Sequence, residues 1–377
     1  MDKNNKKETF ERNNYQRLTS LIFQELSWLP LWIKKDGDII ANADNNSEKY
    51  ILDSLKIMNL TKKSLKNKKV FNIGTGRESR FFASCGADVT HIDMGPESVQ
   101  ELKNWAKKNK ANIHSTNIDI ADANIGENKF DIIFLSGIYQ HIQFPALALV
   151  KFINALKKNG LMYMGFYRSG EFKYFIVDAI RYILPVSSLA KVRDINSILF
   201  TFGEHRHYQS SRVMDDFFIP RKHNFDPKDI ISDVKLLGGS IFHFDNDFRD
   251  YNHKGHSYFS IGGDRIYITK KNNKITKLNN VKNKLKTLTG RNQIFDVNYK
   301  EELINENINL FKRIKTYYET GFISETNLIC LCIGLYQFTR PFELENSFYF
   351  QETKKKDRHS VLNTYLKNFI KNFSIKK

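Results

Sequence analysis

The chain has 377 residues, of which 41% are hydrophobic, with 30 Phe and 17 Tyr, so it has the material for a sizeable core and excludes disorder throughout. Lys and Arg number 59 against 41 Asp and Glu, a net charge of +18, which fits either a polyanionic partner or a general bias towards Lys and Asn. The three cysteines Cys85, Cys330 and Cys332 make neither a disulfide framework nor a metal-ligand spacing, as expected in a reducing cytoplasm.

In chain order, residues 1–66 read as an N-terminal helical cap. Leu18, Ile22, Leu26 and Leu29 recur at helical spacing before Pro30, and a second helical stretch covers 49–60. The opening residues carry no apolar run of the signal-peptide kind, and the apolar stretch at 328–336 is too short to span a bilayer. From residue 67 strand and helix patterns alternate: strands at 68–74, 88–93, 112–118, 130–137 and 161–167, with helices at 77–85, 96–109 and 145–160 between them. The run 130–137 is the most apolar and is expected to be a central strand covered on both faces. Alternation of this kind predicts a parallel sheet with helices on both sides, and ligands of such sheets lie outside the carboxyl ends of the strands.

Helices are then expected at 172–184 and 227–239, with a loop rich in Arg, Asp, His and aromatic residues before the second. Two strand-like runs, 240–247 and 257–269, have no helix between them and imply an antiparallel hairpin. Residues 270–291 carry eight Lys or Arg and no acid, and read as a solvated basic linker or an arm for an anionic surface. A helical region covers 292–377.

Chemistry concentrates at the strand ends. Gly74 and Gly76, in NIGTG, sit between a strand and a helix, where glycine lets the backbone turn sharply and approach a ligand closely. Asp93 ends the next strand, 19 residues after Gly74, and an acid there can accept two hydrogen bonds from ribose hydroxyls. Asp119 lies just past the third strand. The three positions converge on one ligand edge suited to a nucleoside. His141, past the fourth strand, is either a general base or a histidine that shapes the pocket. Arg168, after the fifth strand, is placed to meet an anionic substrate.

On these residues the chain resembles the class I S-adenosylmethionine-dependent methyltransferases, closely over 68–170 and loosely over 170–270. The resemblance implies a Rossmann-like, mostly parallel α/β sheet with a terminal antiparallel hairpin, flanked by the helical extensions. It implies S-adenosylmethionine as cofactor, held by Asn72, Gly74, Thr75, Gly76, Asp93, Met94, Asp119, Ile120 and Ser136. Catalysis falls to His141 and Arg168, and Tyr139, Asp215, Asp216 and His223 face the substrate. Asp215, Asp216 and His223 show no regular metal spacing, and no metal is expected. The implied domains are a cap at 1–66, a core at 67–270 with a lid insertion near 170–227, the linker at 271–291 and the helical region at 292–377. Two departures stand out: Asn72 replaces the usual acid of the first strand, and Arg77 and Glu78 occupy the stretch where a third glycine is usual.

The implied activity is methyl transfer by in-line displacement to a small molecule, of sugar, lipid-linked or secondary-metabolite type. An RNA methyltransferase and a non-catalytic protein that kept the cofactor fold are the alternatives, with an NAD-dependent dehydrogenase further off because it does not account for Asp119 or the hairpin. The methyl acceptor and the oligomeric state stay open.

Overall fold

The structure, a computed structural model, describes residues 41–74, 76–170, 172–184, 222–245, 264–288, 290–292, 294–296, 298–338 and 355–374. Helix α1 (Ala41–Ile57) is followed by β1 (Lys69–Ile73), α2 (Arg77–Ser84), β2 (Asp88–Asp93), α3 (Pro96–Asn109), β3 (Ile113–Asn117) and β4 (Phe130–Leu135). Next come α4 (Pro145–Ala155), β5 (Leu156–Phe166), α5 (Phe172–Ile183), α6 (Pro227–Leu236), β6 (Gly239–Asp245) and β7 (Asp264–Lys270). The chain continues through α7 (Leu278–Val281), α8 (Glu302–Glu319), α9 (Glu325–Gln337) and α10 (Lys355–Ser374).

Among the described residues seven strands make one sheet in the order β3-β2-β1-β4-β5-β7-β6. Strands β1 to β5 pair in parallel, and β7 runs antiparallel to both β5 and β6. The expected parallel sheet and terminal hairpin are thus both present. Successive residues of each strand point to opposite faces. Phe71, Ile133, Leu135, Met162 and Met164 pack on one face with α4 and α6, whereas Val70, Val89, Ile132, Phe134 and Tyr163 pack on the other with α1 and α2. Both faces are therefore covered, which is why β1 and β4 read as continuous apolar runs. On the second face Tyr163 stacks on Phe134 at 4.3 Å between centroids and meets Tyr267 edge-on at 5.4 Å. The Tyr267 hydroxyl donates to Ser54 Oγ at 3.2 Å and so ties α1 to the sheet.

Two expectations need correction. The helix expected over 145–160 ends at Ala155, and Leu156–Phe166 is one long strand. Leu156 is fully buried and pairs with Phe130, Asn159 takes φ 63°, and the ladder shifts register between Phe130 and Ile132. Gly160 fits because a Cβ there would lie 2.9 Å from the Lys157 carbonyl oxygen. The stretch 271–291, expected to be a solvated linker, is docked instead. Val281 and Leu285 join the core on the α4 face. The Asp233 carboxylate accepts the Lys286 N–H at 2.9 Å, the Thr287 N–H at 2.8 Å and the Thr287 hydroxyl at 2.7 Å.

The chain divides into two compact units, Met1–Arg168 with Ile219–Gly290, and Ser169–Phe218 with Arg291–Lys377. The second, helical unit has its own core: Phe175 packs against Phe311 and, edge-on, against Tyr299 and His359. There Asn307 donates to the His359 carbonyl at 3.0 Å and accepts from Asn363 at 2.9 Å. Among the described residues no helix is long and apolar enough to cross a membrane.

Candidate cofactor and acceptor site

The glycine turn follows β1. Gly74 takes φ 125° and Gly76 φ 87°, conformations that side chains other than glycine's resist. A Cβ on Gly74 would meet nothing within 4 Å, so the backbone there faces open space. A Cβ on Gly76 would lie 3.1 Å from Leu102 Cδ2, so the missing side chain lets α3 pack against the turn. Gly76 is also the N-cap of α2, whose first N–H groups have no acceptor within the helix. Thr75 lies outside the described residues.

Asn72 is fully buried and committed to the protein. Its amide donates to the Phe134 carbonyl at 2.7 Å, its Oδ1 accepts the Ser79 hydroxyl at 2.8 Å, and the Ser79 hydroxyl lies 3.0 Å from His91 Nδ1. This network ties β1 to β4, α2 and β2, an internal role for a residue expected on the cofactor. Burial lowers the His91 pKa to about 4 and keeps the ring neutral.

Asp93 ends β2. It is 7% exposed, and its Oδ1 accepts the Gly95 N–H at 2.6 Å. Its backbone carbonyl accepts the Ile118 N–H at 3.0 Å and the Asn117 amide at 3.0 Å, so β3 fixes its position. Burial raises its pKa to about 7, with Glu97 pushing the same way and the Gly95 N–H against it. Met94 is half-buried in the turn that follows. Asp119 and Ile120 are buried, and Asp119 Oδ1 accepts the Ala121 N–H at 2.8 Å. The turn that carries them is clamped from α4: Lys151 Nζ donates to the carbonyls of Ile120 (2.8 Å), Ala121 (2.6 Å) and Ala123 (2.9 Å). Lys151 was not singled out from the sequence, although it is the one charge in the apolar run PALALVKFINA.

Beyond β4, a single 3₁₀ turn, Tyr139–His141, leads to α4. Tyr139 is a correction to the expected substrate contacts: it is fully buried, its hydroxyl donates to the Pro145 carbonyl at 3.2 Å, and its ring packs on Phe225 at 4.9 Å. It belongs to the core. His141 is 6% exposed; its ring meets Tyr167 edge-on at 5.6 Å, and its Nε2 lies 3.2 Å from the Gln140 amide nitrogen, which also donates to the Gly137 carbonyl at 2.7 Å. The His223 N–H donates to the Gln140 carbonyl at 2.8 Å, and the Phe225 N–H to the Tyr167 carbonyl at 2.8 Å. Arg168, half-buried, bridges to Phe225, and Lys222 Nζ sits over the Tyr167 ring at 5.5 Å. Three segments, around 140, 167 and 223, are thereby brought together beside His141. Asp215 and Asp216 lie outside the described residues. Ser136 is half-buried at the end of β4, close to the Tyr50 hydroxyl.

Comparison with known proteins agrees with this geometry. Residues 71–164 match a family model described as a methyltransferase domain. A ubiquinone biosynthesis O-methyltransferase of Glaesserella parasuis serovar 5 is 28% identical over 147 residues, 36% of this chain and 62% of that protein. A protein of the same name from Pelagibacter ubique is 32% identical over 106 residues, 27% of this chain and 43% of that protein. The chain thus spans less than two thirds of the length of either relative. A solved magnesium protoporphyrin IX methyltransferase from Synechocystis is 14% identical, and the match covers 68% of this chain and 99% of that one at a TM-score of 0.43. The stretch from Phe71 to Met164, which carries Gly74, Gly76, Asp93 and Asp119, is thus similar to a methyltransferase domain.

Proposed function

We propose that the chain transfers a methyl group from S-adenosylmethionine to a hydroxyl group of a small organic acceptor. The observation that carries this is the convergence of the Gly74–Gly76 turn, Asp93 and Asp119 on one edge of the sheet, with His141 past the next strand. The residues suit the cofactor. Bare backbone at Gly74 opens on space, and Asp93 is a buried carboxylate beside which two ribose hydroxyls can donate. Gly74 and Gly76 would pass the methionine part, Asp93 the ribose, and Asp119 with Ile120 the adenine.

The bound cofactor supplies a methyl group already activated by the sulfonium, so the protein's task is chiefly to align an in-line displacement, for which positioning contributes several kcal/mol. His141 receives the proton that a hydroxyl must lose. In the tautomer with the ring proton on Nδ1, Nε2 carries the lone pair that takes this proton, in exchange for its contact with the Gln140 amide. Tyr167 and the 222–225 segment wall the ring from water, and Arg168 faces an anionic group of the acceptor. The names of the two relatives, both O-methyltransferases, support a hydroxyl as acceptor. The Tyr167 ring, edge-on to His141, favours a flat or apolar acceptor over a polynucleotide.

The test is transfer of labelled methyl from S-adenosylmethionine to a panel of phenols, other small hydroxyl compounds, and RNA. Labelled small-molecule product bears the reading out. Label in RNA alone contradicts it.

A further inference from the structure

The negative charge that Asn72 does not bring is present six residues further on. Glu78, in the first turn of α2, has a side chain 6% exposed, and Arg77, paired with it at 2.6 Å, one 13% exposed. Glu78 Oε1 accepts from Arg77 Nε at 3.2 Å and from the Tyr50 hydroxyl, which itself accepts from the Arg77 guanidinium at 3.0 Å. The guanidinium carbon also lies 5.2 Å from the centre of the Tyr50 ring. Burial pushes the Glu78 pKa up, but Arg77 and the hydrogen bonds from Tyr50 and Arg77 outweigh it and hold the carboxyl ionised, below its usual range.

Such a cluster is a costly thing to bury. An ion pair taken from water gains little net stability, and well-packed apolar residues often do as well in its place. Its position is informative: the helix start beside the glycine turn, the Ser136 end of β4 and the N-terminal helix α1 all meet at the Tyr50 hydroxyl. Glu78 lies one turn of chain beyond Gly74, where a Cβ would meet nothing within 4 Å.

We propose that Glu78, anchored by Arg77 and Tyr50, is the carboxylate that receives the amino group at the methionine end of the cofactor, so that helix α1 completes the cofactor site. Tyr50 is a positioning residue in this arrangement. It holds Glu78 through its hydroxyl from an element outside the 71–164 match. The inference rests on the S-adenosylmethionine reading above.

The experiment compares calorimetric binding of S-adenosylhomocysteine, which carries the amino group, with that of 5′-methylthioadenosine, which lacks it. The wild-type protein binds both, the first more tightly. Glu78→Gln weakens S-adenosylhomocysteine at least tenfold and leaves 5′-methylthioadenosine unchanged, which also shows that the variant is folded. Tyr50→Phe narrows the ratio about threefold. A Glu78→Gln variant that keeps the wild-type ratio overturns the inference. Should that variant lose both ligands, Tyr50→Phe decides, and an unchanged ratio there overturns it. A wild-type protein that binds neither ligand overturns the cofactor reading itself.

Discussion

The ends of β1 to β3 and the segments beyond β4 and β5 are built differently. On the first side each polar group is fixed by short hydrogen bonds within its own turn, to a neighbouring strand or from helix α4: Asp93 by Gly95 and β3, and the Asp119 turn by Lys151. On the second side the backbone is knitted between three segments, and the Tyr167 ring meets His141 edge-on. A rigid polar edge suits a ligand that never changes, the cofactor. Segments joined through loops suit an acceptor site.

The sharpest way to break that contrast is at His141. His141→Ala should lower kcat by about 10²- to 10⁴-fold, the range of a lost general base, with the dissociation constant for S-adenosylmethionine nearly unchanged. An unaffected rate reduces His141 to pocket lining.

The next effect is pH dependence on the cofactor side. Asp93 titrates near 7 in the fold, against 3.8 as its ordinary value. A raised folded pKa means that the ligand-free fold loses stability as pH rises from about 4 through 7, because only the unfolded carboxyl ionises freely there. In the proposed role of Asp93 two ribose hydroxyls donate to the ionised form, so cofactor affinity should rise through the same window, by up to about tenfold per pH unit below 7. Isothermal titration between pH 5.5 and 8.5 checks it, and an affinity flat over that range contradicts the ribose role.

A smaller change follows from Lys151→Met. Loss of three donated hydrogen bonds loosens the Asp119 turn and should raise the S-adenosylmethionine KM about tenfold, with kcat kept and Lys151→Arg restoring much of the loss. A lower melting temperature with an unchanged KM would make Lys151 a purely structural clamp. The smallest effect is expected at Tyr139→Phe, which removes one buried hydroxyl and its bond to Pro145. About 1 kcal/mol of stability should go, read by denaturant titration, and kcat/KM should hold. A large fall in kcat/KM would return Tyr139 to the substrate.

The strand ends were legible because the signals are local. A glycine turn, Asp93 and Asp119 lie at predictable places when strand and helix periods alternate, and β2 and α3 fall on their expected bounds. The boundary at Ala155 was not, for a physical reason: Leu156 follows Leu149, Phe152 and Ile153 at helical spacing, and the strand pairing with Phe130 that claims it is remote in sequence. Tyr139 sits beside His141 in the chain, but the 3₁₀ turn sends the two rings to different surroundings. The Tyr50–Glu78 contact spans 28 residues and joins elements whose approach no periodicity encodes. The docking of 278–288 depends on Asp233, more than 40 residues earlier, so its lysines alone read as a solvated arm.

The most direct test of the central claim is calorimetric titration of the wild-type protein and of Asp93→Ala with S-adenosylmethionine and with NADH. The account predicts saturable binding of S-adenosylmethionine and none of NADH by the wild type, and loss of that binding, with an unchanged circular dichroism spectrum, in the variant. Binding of NADH in place of S-adenosylmethionine, or a folded Asp93→Ala that binds as the wild type does, would contradict it.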